Sequence, residues 1–445
     1  MTTRTVLFGI LIGGAAFAAS PTATPTFNKD VLPVLQKNCQ GCHRPGEAGP
    51  MSLLDYKQTR PWAKAIKQSV STRKMPPWGA DPHFGKFQND RLLSTADIKT
   101  LVSWADSGAP EGNPKDAPKP VSWLEGWAIG QPDVVLEMPA KFPVPASGTI
   151  DYQYVVIPTG FTEDKWVQMA EARPGDRSVT HHVIAFLRPP GSKWMADAKP
   201  GVPFVPQRQQ RSRSEARDPQ QARNSEAAGE SMAGTELLVG YAPGMQPQEC
   251  PPGAAKFVPK GSDIVLQLHY TTTGKATADK TRIGLIFAKE APQKRILTMN
   301  ATNAGFVIPA GDSDYEVKSS ITLREDAELV GLMPHMHLRG KDFLYKLTYP
   351  TGEQETILSV PKYDFNWQLF YYLSKPKLLP KDTRIDCTAH FDNSANNPAN
   401  PDATKAVRWG DQSWEEMMIG WFDVAIDAKG NPMDLFRTKP SGAAE

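Results

Sequence analysis

The feature that most constrains the fold is a series of short β-branched and aromatic runs that recur between proline and glycine turns. Runs of this length and composition are typical of antiparallel strands. They extend over about 300 residues, which is more than one β-sandwich of about 100 residues holds. The sequence therefore predicts two consecutive all-β antiparallel sandwiches. Examples are YQYVVIP, VTHHVIAFL, DIVLQLHYTT, TRIGLIFA, FLYKLTYP and MMIGWFDV.

The first residues, MTTRTVLFGILIGGAAFAAS, combine a basic start at Arg4, an apolar run and small residues up to Ala18. This pattern predicts a secretory signal peptide over residues 1–18. No later apolar run approaches the roughly 20 residues that a spanning helix needs. We therefore expect a periplasmic or secreted protein with no membrane span. A net charge of +2 gives no sign of a nucleic-acid partner.

Two of the four cysteines lie in the segment NCQGCHRPGEAGP. Cys39, Cys42 and His43 form the C-x-x-C-H signature of haem c attachment, in which both thiols bind the porphyrin and the histidine binds the iron. A C-x-x-C motif also occurs in redox dithiols and in zinc sites. The adjacent histidine, the export signal and the lack of a second C-x-x-C disfavour both. The sequence predicts one covalent haem c.

The flanks of this motif have helical patterns. The segment STADIKTLVSWADSG begins with Ser94 as a helix N-cap and resembles the terminal helix of a class I cytochrome c. This resemblance implies a small all-α domain over residues 19–112. Met75, followed by proline as the family's axial methionine often is, is expected to be the second iron ligand, and His83 is the alternative. An apolar helical face before the motif comprises Phe27, Val31, Leu32, Val34 and Leu35.

Composition marks the other boundaries. A stretch rich in proline and charge predicts a linker at residues 113–122. Residues 206–234 are polar and almost free of apolar side chains, which predicts a disordered insertion. Its nearly balanced charges disfavour RNA binding. The two sandwiches are then expected over residues 123–290 and 291–436.

Five of the eight histidines lie in strand-like runs. Side chains alternate between the two faces of a strand, so Gln267 and His269 are expected on one face, opposite Leu268. By the same rule Met336 faces away from the histidines on either side of it. Neighbouring histidines reach one metal only where the strand ends, bends or bulges. The five histidines are His181, His182, His269, His335 and His337.

The metal follows from exclusion. No cysteine lies in these runs, which disfavours blue copper and iron–sulfur sites, and there is no H-E-x-x-H zinc motif. Imidazoles together with a thioether suit copper that must be stable as Cu(I). Two separate histidine sets predict two copper ions or one larger site.

Residues from about 145 to 436 resemble, in order, the type II copper monooxygenases, which include peptidylglycine alpha-hydroxylating and dopamine beta-monooxygenases. VTHHVIAF resembles the first copper's histidine pair, and VLQLHYTT resembles the approach to its third ligand, His269, with Gln267 at the family's glutamine position. PHMHLRGK resembles the second copper's pair. DQSWEEMMIGWF resembles the segment that carries the thioether, which makes Met417 the ligand and Met418 the alternative.

The resemblance implies two jelly-roll-like sandwiches with one copper each, and hydroxylation of a C–H bond with O2. The substrate is a small molecule or a peptide. The reaction would take place at the copper of His335, His337 and Met417, with catalytic roles for these residues and Gln267. The other copper would store one electron. We expect electrons to arrive through the haem, from a donor protein or a small reductant. The alternative is an electron-transfer or copper-binding protein without monooxygenase activity.

Departures from the family's sequence pattern limit which of its properties can be expected of this chain. Met333 stands where the peptide-amidating members carry an arginine for the substrate carboxylate, and Trp421 replaces their substrate-side tyrosine. A peptide ending in glycine is therefore not the expected substrate. The cysteine beside the thioether ligand is absent, so Cys387 either pairs with Cys250 or both are free thiols. His390 has no matched ligand role and is expected to be structural.

Overall fold

The computed structural model describes residues 24–123, 126–206 and 236–436. The predicted signal peptide and all but the first residue of the predicted insertion lie outside these ranges. The described chain is mostly β-sheet with few helices, which confirms the expected predominance of β-structure.

The α-helices cluster near the N-terminus. Ser94 caps the longest one, because its side chain accepts a hydrogen bond of 3.0 Å from the amide of Asp97. The predicted apolar face packs against this helix, and Phe27 lies 6.0 Å from Trp104 between ring centroids. The helices are α1 (Leu32–Asn38), α2 (Tyr56–Thr59), α3 (Ala63–Ser71) and α4 (Thr95–Asp106), with π or 3-10 turns at Phe27–Val31, Arg60–Trp62, Pro114–Asp116 and Pro432–Leu435.

The helices are followed by strands. In the first half these are β1 (Val134–Glu137), β2 (Phe142–Val144), β3 (Gln153–Pro158), β4 (Lys165–Arg173), β5 (Thr180–Arg188), β6 (Glu236–Tyr241), β7 (Gln248–Glu249), β8 (Ala254–Val258), β9 (Asp263–Tyr270), β10 (Thr277–Asp279) and β11 (Arg282–Phe287). In the second half they are β12 (Lys294–Thr302), β13 (Val307–Ile308), β14 (Tyr315–Thr322), β15 (Ala327–His335), β16 (Gly340–Thr348), β17 (Gln354–Val360), β18 (Tyr371–Leu379), β19 (Arg384–Phe391), β20 (Val407–Arg408) and β21 (Ile419–Asp427).

One nine-stranded sheet runs through both halves in the order β1-β11-β4-β8-β12-β21-β15-β18, with β7 paired to β4. A parallel pairing of β8 with β12 joins the halves. A four-stranded sheet, β3-β9-β5-β6, covers the first half, and another, β14-β19-β16-β17, covers the second. Two short ribbons, β2-β10 and β13-β20, complete the described sheets.

Each covering sheet buries its own core against the long sheet. Leu266 and Leu268 of β9 pack in the first core with Leu285 of β11. Phe343 of β16 packs in the second core with Phe422 of β21. Val265, on the other face of β9, belongs to a third apolar group that we call the interface cluster. The interface cluster lies between the halves and includes Tyr152, Tyr154, Val265, Met333, Ile419 and Trp421, with Met417 packed against it.

A segment between α3 and α4 packs on the second half of the chain. Trp78 is buried in the second core, where its ring lies 4.8 Å from that of Tyr371. Phe87 forms an antiparallel bridge with Leu373 of β18. Asn89 donates to the carbonyl of Phe370 at 2.7 Å. The residues next to the helical cluster are thereby tied to the edge of the long sheet.

Charged side chains are buried where the halves meet. Lys256 of β8 is only 1% exposed, and its Nζ donates to the Leu237 carbonyl at 2.6 Å and to Thr298 Oγ1 at 2.7 Å. Thr298 in turn donates to the buried carboxylate of Asp423 at 2.5 Å. Buried polar groups are stable only when hydrogen-bonded, so this series of hydrogen bonds fixes β8, β12 and β21 relative to each other. None of the helices in the described parts of the chain is long and apolar enough to span a bilayer.

Candidate metal centres

The first histidine set lies on adjacent strands. β5 and β9 pair antiparallel with His182 opposite His269, and the register shifts between Thr180 and His182. This irregularity is the one that neighbouring histidines require if both are to face the same point. One ligand atom each from His181, His182 and His269 lies within 4.8 Å of the others.

The ring nitrogens of this set fit one metal ion. Nδ1 of His181 lies 3.5 Å from Nδ1 of His182. Two nitrogens bound about 2.0–2.1 Å from a tetrahedral ion are separated by about 3.3 Å. Nε2 of His269 lies 3.4 Å from Ser413 Oγ, whereas its Nδ1 is buried without a hydrogen-bond partner among the described residues. Tyr152 packs against His269 at 4.5 Å between ring centroids.

The second set presents the other ring nitrogen. Nδ1 of His335 lies 2.7 Å from Gln368 Oε1, and Nδ1 of His337 lies 3.2 Å from the Glu415 carbonyl oxygen. Both oxygens only accept, so each Nδ1 carries the proton and each Nε2 is free to bind a metal. Nε2 of His337 is buried and has no partner within the described ranges. The two rings are 5.3 Å apart at an interplanar angle of 89°.

The methionines near this set separate clearly. Met336 and Met418 are fully buried in the second core. Met417 is half-buried and packs against the interface cluster, to which β9 of the first half also contributes. The structure therefore places Met417, and not Met418, beside the interface cluster between the halves. Met333 pairs with Trp421 across β15 and β21, and both belong to the interface cluster.

Glu416 joins the segment of Met417 to the second histidine pair. Its carboxylate, fully buried, accepts from the amide of His337 at 2.8 Å and from the amide of Arg339 at 2.6 Å. Burial raises the pKa of Glu416 to about 8. The Arg339 side chain donates to Asn393 Oδ1 at 2.8 Å and to the Trp414 carbonyl at 2.9 Å. Two parts of the chain about 80 residues apart are thus fixed to each other.

One aromatic ring touches both histidine sets. Phe365 stacks on His181 with ring centroids 4.6 Å apart and an interplanar angle of 18°. The same ring meets His337 nearly edge-on, at 5.8 Å and 80°. The two sets are therefore neighbours, and Phe365 lies in contact with both.

Burial lowers the pKa of all five histidines. It lowers the pKa of His181 and of His335 to about 4, and that of His269 to about 3. The pKa values of His182 and His337 lie well below 6.5 for the same reason, with further lowering from neighbouring histidines. Metal-binding histidines must be neutral, so this environment fits the predicted ligand role.

The C-x-x-C-H segment follows α1. Nδ1 of His43 lies 3.3 Å from the Met51 carbonyl oxygen, which leaves Nε2 free for iron. A Cβ at Gly49 would lie 2.6 Å from this Nδ1, so a glycine is needed there. Cys39 and Cys42 are free thiols. These donors fit covalent haem attachment. Met75 is half-buried.

The alternative iron ligand, His83, is exposed and lies 2.6 Å from an Asp81 carboxylate oxygen.

The region of the C-x-x-C-H segment contacts residues that flank β5 and β6. Glu47, just after the motif, accepts a hydrogen bond from Arg177, which precedes the His181 strand. Both side chains are largely buried, at 15% and 16% exposure. Arg91 donates to the carbonyl of Gly244 at 2.6 Å, just beyond the end of β6. The contact between Glu47 and Arg177 holds the motif close to the N-terminal end of β5.

Other predicted residues have separate places. Gln267 shares its face of β9 with His269 and donates to the Tyr154 hydroxyl. Cys250 and Cys387 are both buried free thiols in different clusters, so the unpaired alternative holds. His390 lies 2.7 Å from Asp342 on a neighbouring strand.

Among the residues that support the histidines, sequence reasoning missed Phe365, Gln368 and Ser413. All three come from irregular loops of the second half, where no periodic pattern points to them.

No protein-family model and no curated protein matches the chain. Similar solved structures include allantoicase from Saccharomyces cerevisiae, with 8% identity and a TM-score of 0.16 over 63% of this chain and 80% of that chain. Another is the VP2 subviral particle of infectious bursal disease virus, with 8% identity and a TM-score of 0.18 over 68% of this chain and 74% of that chain. Similarity at this level carries no argument about the fold or the function.

Proposed function

We propose that this chain is an exported, haem c- and copper-dependent monooxygenase that hydroxylates a C–H bond with O2. The observation that carries the proposal is the pair of neighbouring, largely buried histidine sets. One set offers a group of three imidazoles, and the other offers two Nε2 atoms, with Met417 packed against the interface cluster. This donor chemistry suits copper that alternates between Cu(I) and Cu(II).

Copper bound at these histidines would supply one-electron chemistry and the activation of O2. The reaction breaks one C–H bond, forms one C–OH bond and consumes two electrons and two protons to release water. Gln368 and the Glu415 carbonyl orient the second pair so that each Nε2 faces the metal. Glu416 holds the backbone of His337. Gln267 and Tyr154, hydrogen-bonded to each other, line the side of the first half.

The finer fold assignment belongs to the same proposal. The helices around Phe27 and Trp104 form a class I cytochrome c domain, with His43 and Met75 as the iron ligands. The two β halves are jelly-roll-like sandwiches with one copper each. Haem bound through Cys39, Cys42 and His43 would supply one-electron chemistry near the three-histidine site. The contact between Glu47 and Arg177 supports this arrangement, because it keeps the haem motif beside the strand that carries His181 and His182.

The surroundings of Met417 favour an uncharged, largely apolar substrate. Met333 and Trp421 are buried beside it in the interface cluster. A substrate carboxylate there would lose its hydration without gaining a cationic partner from these two residues, which is costly. A peptide that ends in a free glycine is therefore not the proposed substrate.

Oxygen uptake tests the proposal. The copper- and haem-loaded protein, reduced without O2, is mixed with oxygenated buffer containing a panel of apolar small molecules. We expect substrate-dependent O2 consumption with an equal yield of hydroxylated product. Met417→Ile should abolish this consumption, and Met418→Ile should retain it. Oxygen uptake that no substrate stimulates, and that Met417→Ile leaves unchanged, contradicts the proposal.

A second candidate function is electron transfer or copper storage without oxygenation. The contact of Phe365 with both histidine sets favours it, because a closed space between the sets leaves less room for a substrate. A carrier would be reoxidised by O2 or by a partner protein without forming a hydroxylated product. The same experiment separates the two functions.

A further inference from the structure

His181 differs from His269, His335 and His337 in how its ring is held. Nε2 of His269 lies near Ser413 Oγ. Nδ1 of His335 lies near Gln368 Oε1, and Nδ1 of His337 lies near the Glu415 carbonyl oxygen. Nε2 of His181 is buried, yet it has no hydrogen-bond partner in the part of the chain that the structure describes. Metal-binding histidines usually depend on such a partner to fix the orientation of the ring.

The His181 ring is instead held by an aromatic stack on its face. The rings of Phe365 and His181 are 18° from parallel, with centroids 4.6 Å apart. This is the offset-stacked geometry that aromatic pairs favour. The stack restricts rotation of the imidazole about its Cβ–Cγ bond. The Nδ1 atom of His181 lies 3.5 Å from Nδ1 of His182.

The loop that carries Phe365 is itself anchored at the second histidine pair. Tyr363 accepts from the amide of Met336 at 3.1 Å and donates to the Met336 carbonyl at 2.8 Å. Gln368 contacts His335 at 2.7 Å. Phe365 lies between these two anchors in sequence. Its ring therefore has a defined position relative to the end of β15, and His181 is placed relative to the second site.

We propose that Phe365 is a positioning residue that orients the His181 imidazole for the metal, by stacking on a ring that lacks the hydrogen bond available to His269, His335 and His337. The inference rests on the proposed function, since it takes His181 to be a copper ligand. Phe365 also touches His337, but that ring is held independently by the Glu415 carbonyl. The loss of the Phe365 ring should therefore weaken the first site and spare the second.

The first experiment needs no metal. Histidine labelled with 13C is incorporated into the metal-free protein, and the His181 ring signal is assigned with His181→Gln. Stacking on an aromatic ring shields the imidazole protons. We expect Phe365→Leu to shift the His181 signal downfield, Phe365→Tyr to leave it in place, and Phe161→Leu, a matched change in the remote Phe161–Phe287 pair, to have no effect. An unchanged signal in Phe365→Leu would overturn the proposal.

The second experiment measures copper binding at each site by competition with a chelator. We expect Phe365→Leu to weaken the three-histidine site about tenfold or more, the range for lost support of a metal ligand. The second site should keep its affinity, and Phe365→Tyr should match the unaltered protein. If the three-histidine site binds copper with the same affinity in Phe365→Leu as in the unaltered protein, the role of Phe365 is overturned but the proposed function is not. An unaltered protein that binds no copper at this site overturns the proposed function itself.

Discussion

Met417 and Met418 are neighbours in sequence but have different environments. Met418 is fully buried in the second core, whereas Met417 is half-buried beside the interface cluster. A side chain that packs on all sides contributes mainly to stability. One that is only half-buried, like Met417, keeps part of its surface available to bind a metal. The two residues should therefore respond to substitution in opposite ways.

Met418→Ala should lower the free energy of unfolding by about 2–5 kcal/mol, because it leaves a cavity in a closed core. Met417→Ala should cost much less stability and should remove the sulfur scatterer from the X-ray absorption spectrum of the Cu(I) protein. Urea denaturation and copper-edge spectroscopy on both variants measure these effects. Loss of the sulfur signal in Met418→Ala, with the signal kept in Met417→Ala, would show that Met418 is the ligand and contradict the prediction.

At the scale of single residues, sequence patterns predicted what strand geometry controls. Alternation on β9 placed Gln267 and His269 opposite Leu268, and the first core contains Leu268. It did not predict Gln368 or Ser413, because their contacts with His335 and His269 come from loops distant in sequence. Such contacts depend on how the halves meet, which no local period encodes.

Among the elements, the stretch from Gly410 to Met418 supports both histidine sets. Ser413 lies near His269 in the first half, and the Glu415 carbonyl and the Glu416 carboxylate contact His337 in the second. A change in this stretch thus reaches each metal site through a different residue.

Glu416→Ala should leave the amides of His337 and Arg339 buried without an acceptor, at a cost of about 1–3 kcal/mol for each. We expect copper to be lost from the second site and kept at the first, with partial recovery in Glu416→Gln, which retains an acceptor oxygen. Copper content and denaturant unfolding measure both effects. Parallel loss of both coppers would show general unfolding rather than a local role for Glu416.

The segment that carries Trp78 acts as an element of the second half. Trp78→Ala should destabilise the protein by about 3–5 kcal/mol, the usual cost of removing a buried large aromatic side chain. Trp62→Ala is the control, since Trp62 is 41% exposed and should have little effect. Thermal unfolding followed by tryptophan fluorescence and by circular dichroism tests this. Equal stability of the two variants would contradict the packing of Trp78 on the second core.

Sequence patterns did not predict this packing, because an irregular segment that bridges a distant strand edge shows no repeat.

For the whole molecule, the recurrence of strand-like runs predicted the β-rich architecture but not the connection between its halves. The long sheet crosses from β8 to β12 by a parallel pairing of two residues on each strand, which is too short to leave a pattern. The buried contact of Lys256 with Thr298 likewise joins strands whose sequences show no sign of each other.

The position of the C-x-x-C-H segment predicts electron transfer within one molecule. When the haem is reduced and the copper oxidised, haem reoxidation should proceed at a rate independent of protein concentration. Arg177→Glu should slow it by placing like charges together at Glu47, whereas Arg177→Lys, which keeps the positive charge, should slow it less. Rapid mixing followed by haem absorbance measures the rate. A rate proportional to protein concentration would mean that electrons pass between molecules instead.

The metal content of the mature protein tests the central claim most directly. The chain is exported from a host that assembles haem c, supplied with copper, and its iron and copper are measured against protein concentration. We predict one iron and two copper ions per chain. Replacement of His181 and His182 by alanine, or of His335 and His337 by alanine, should each remove one copper and leave the iron. A protein without copper, or one copper ion that disappears in both double variants, would contradict the two-site account.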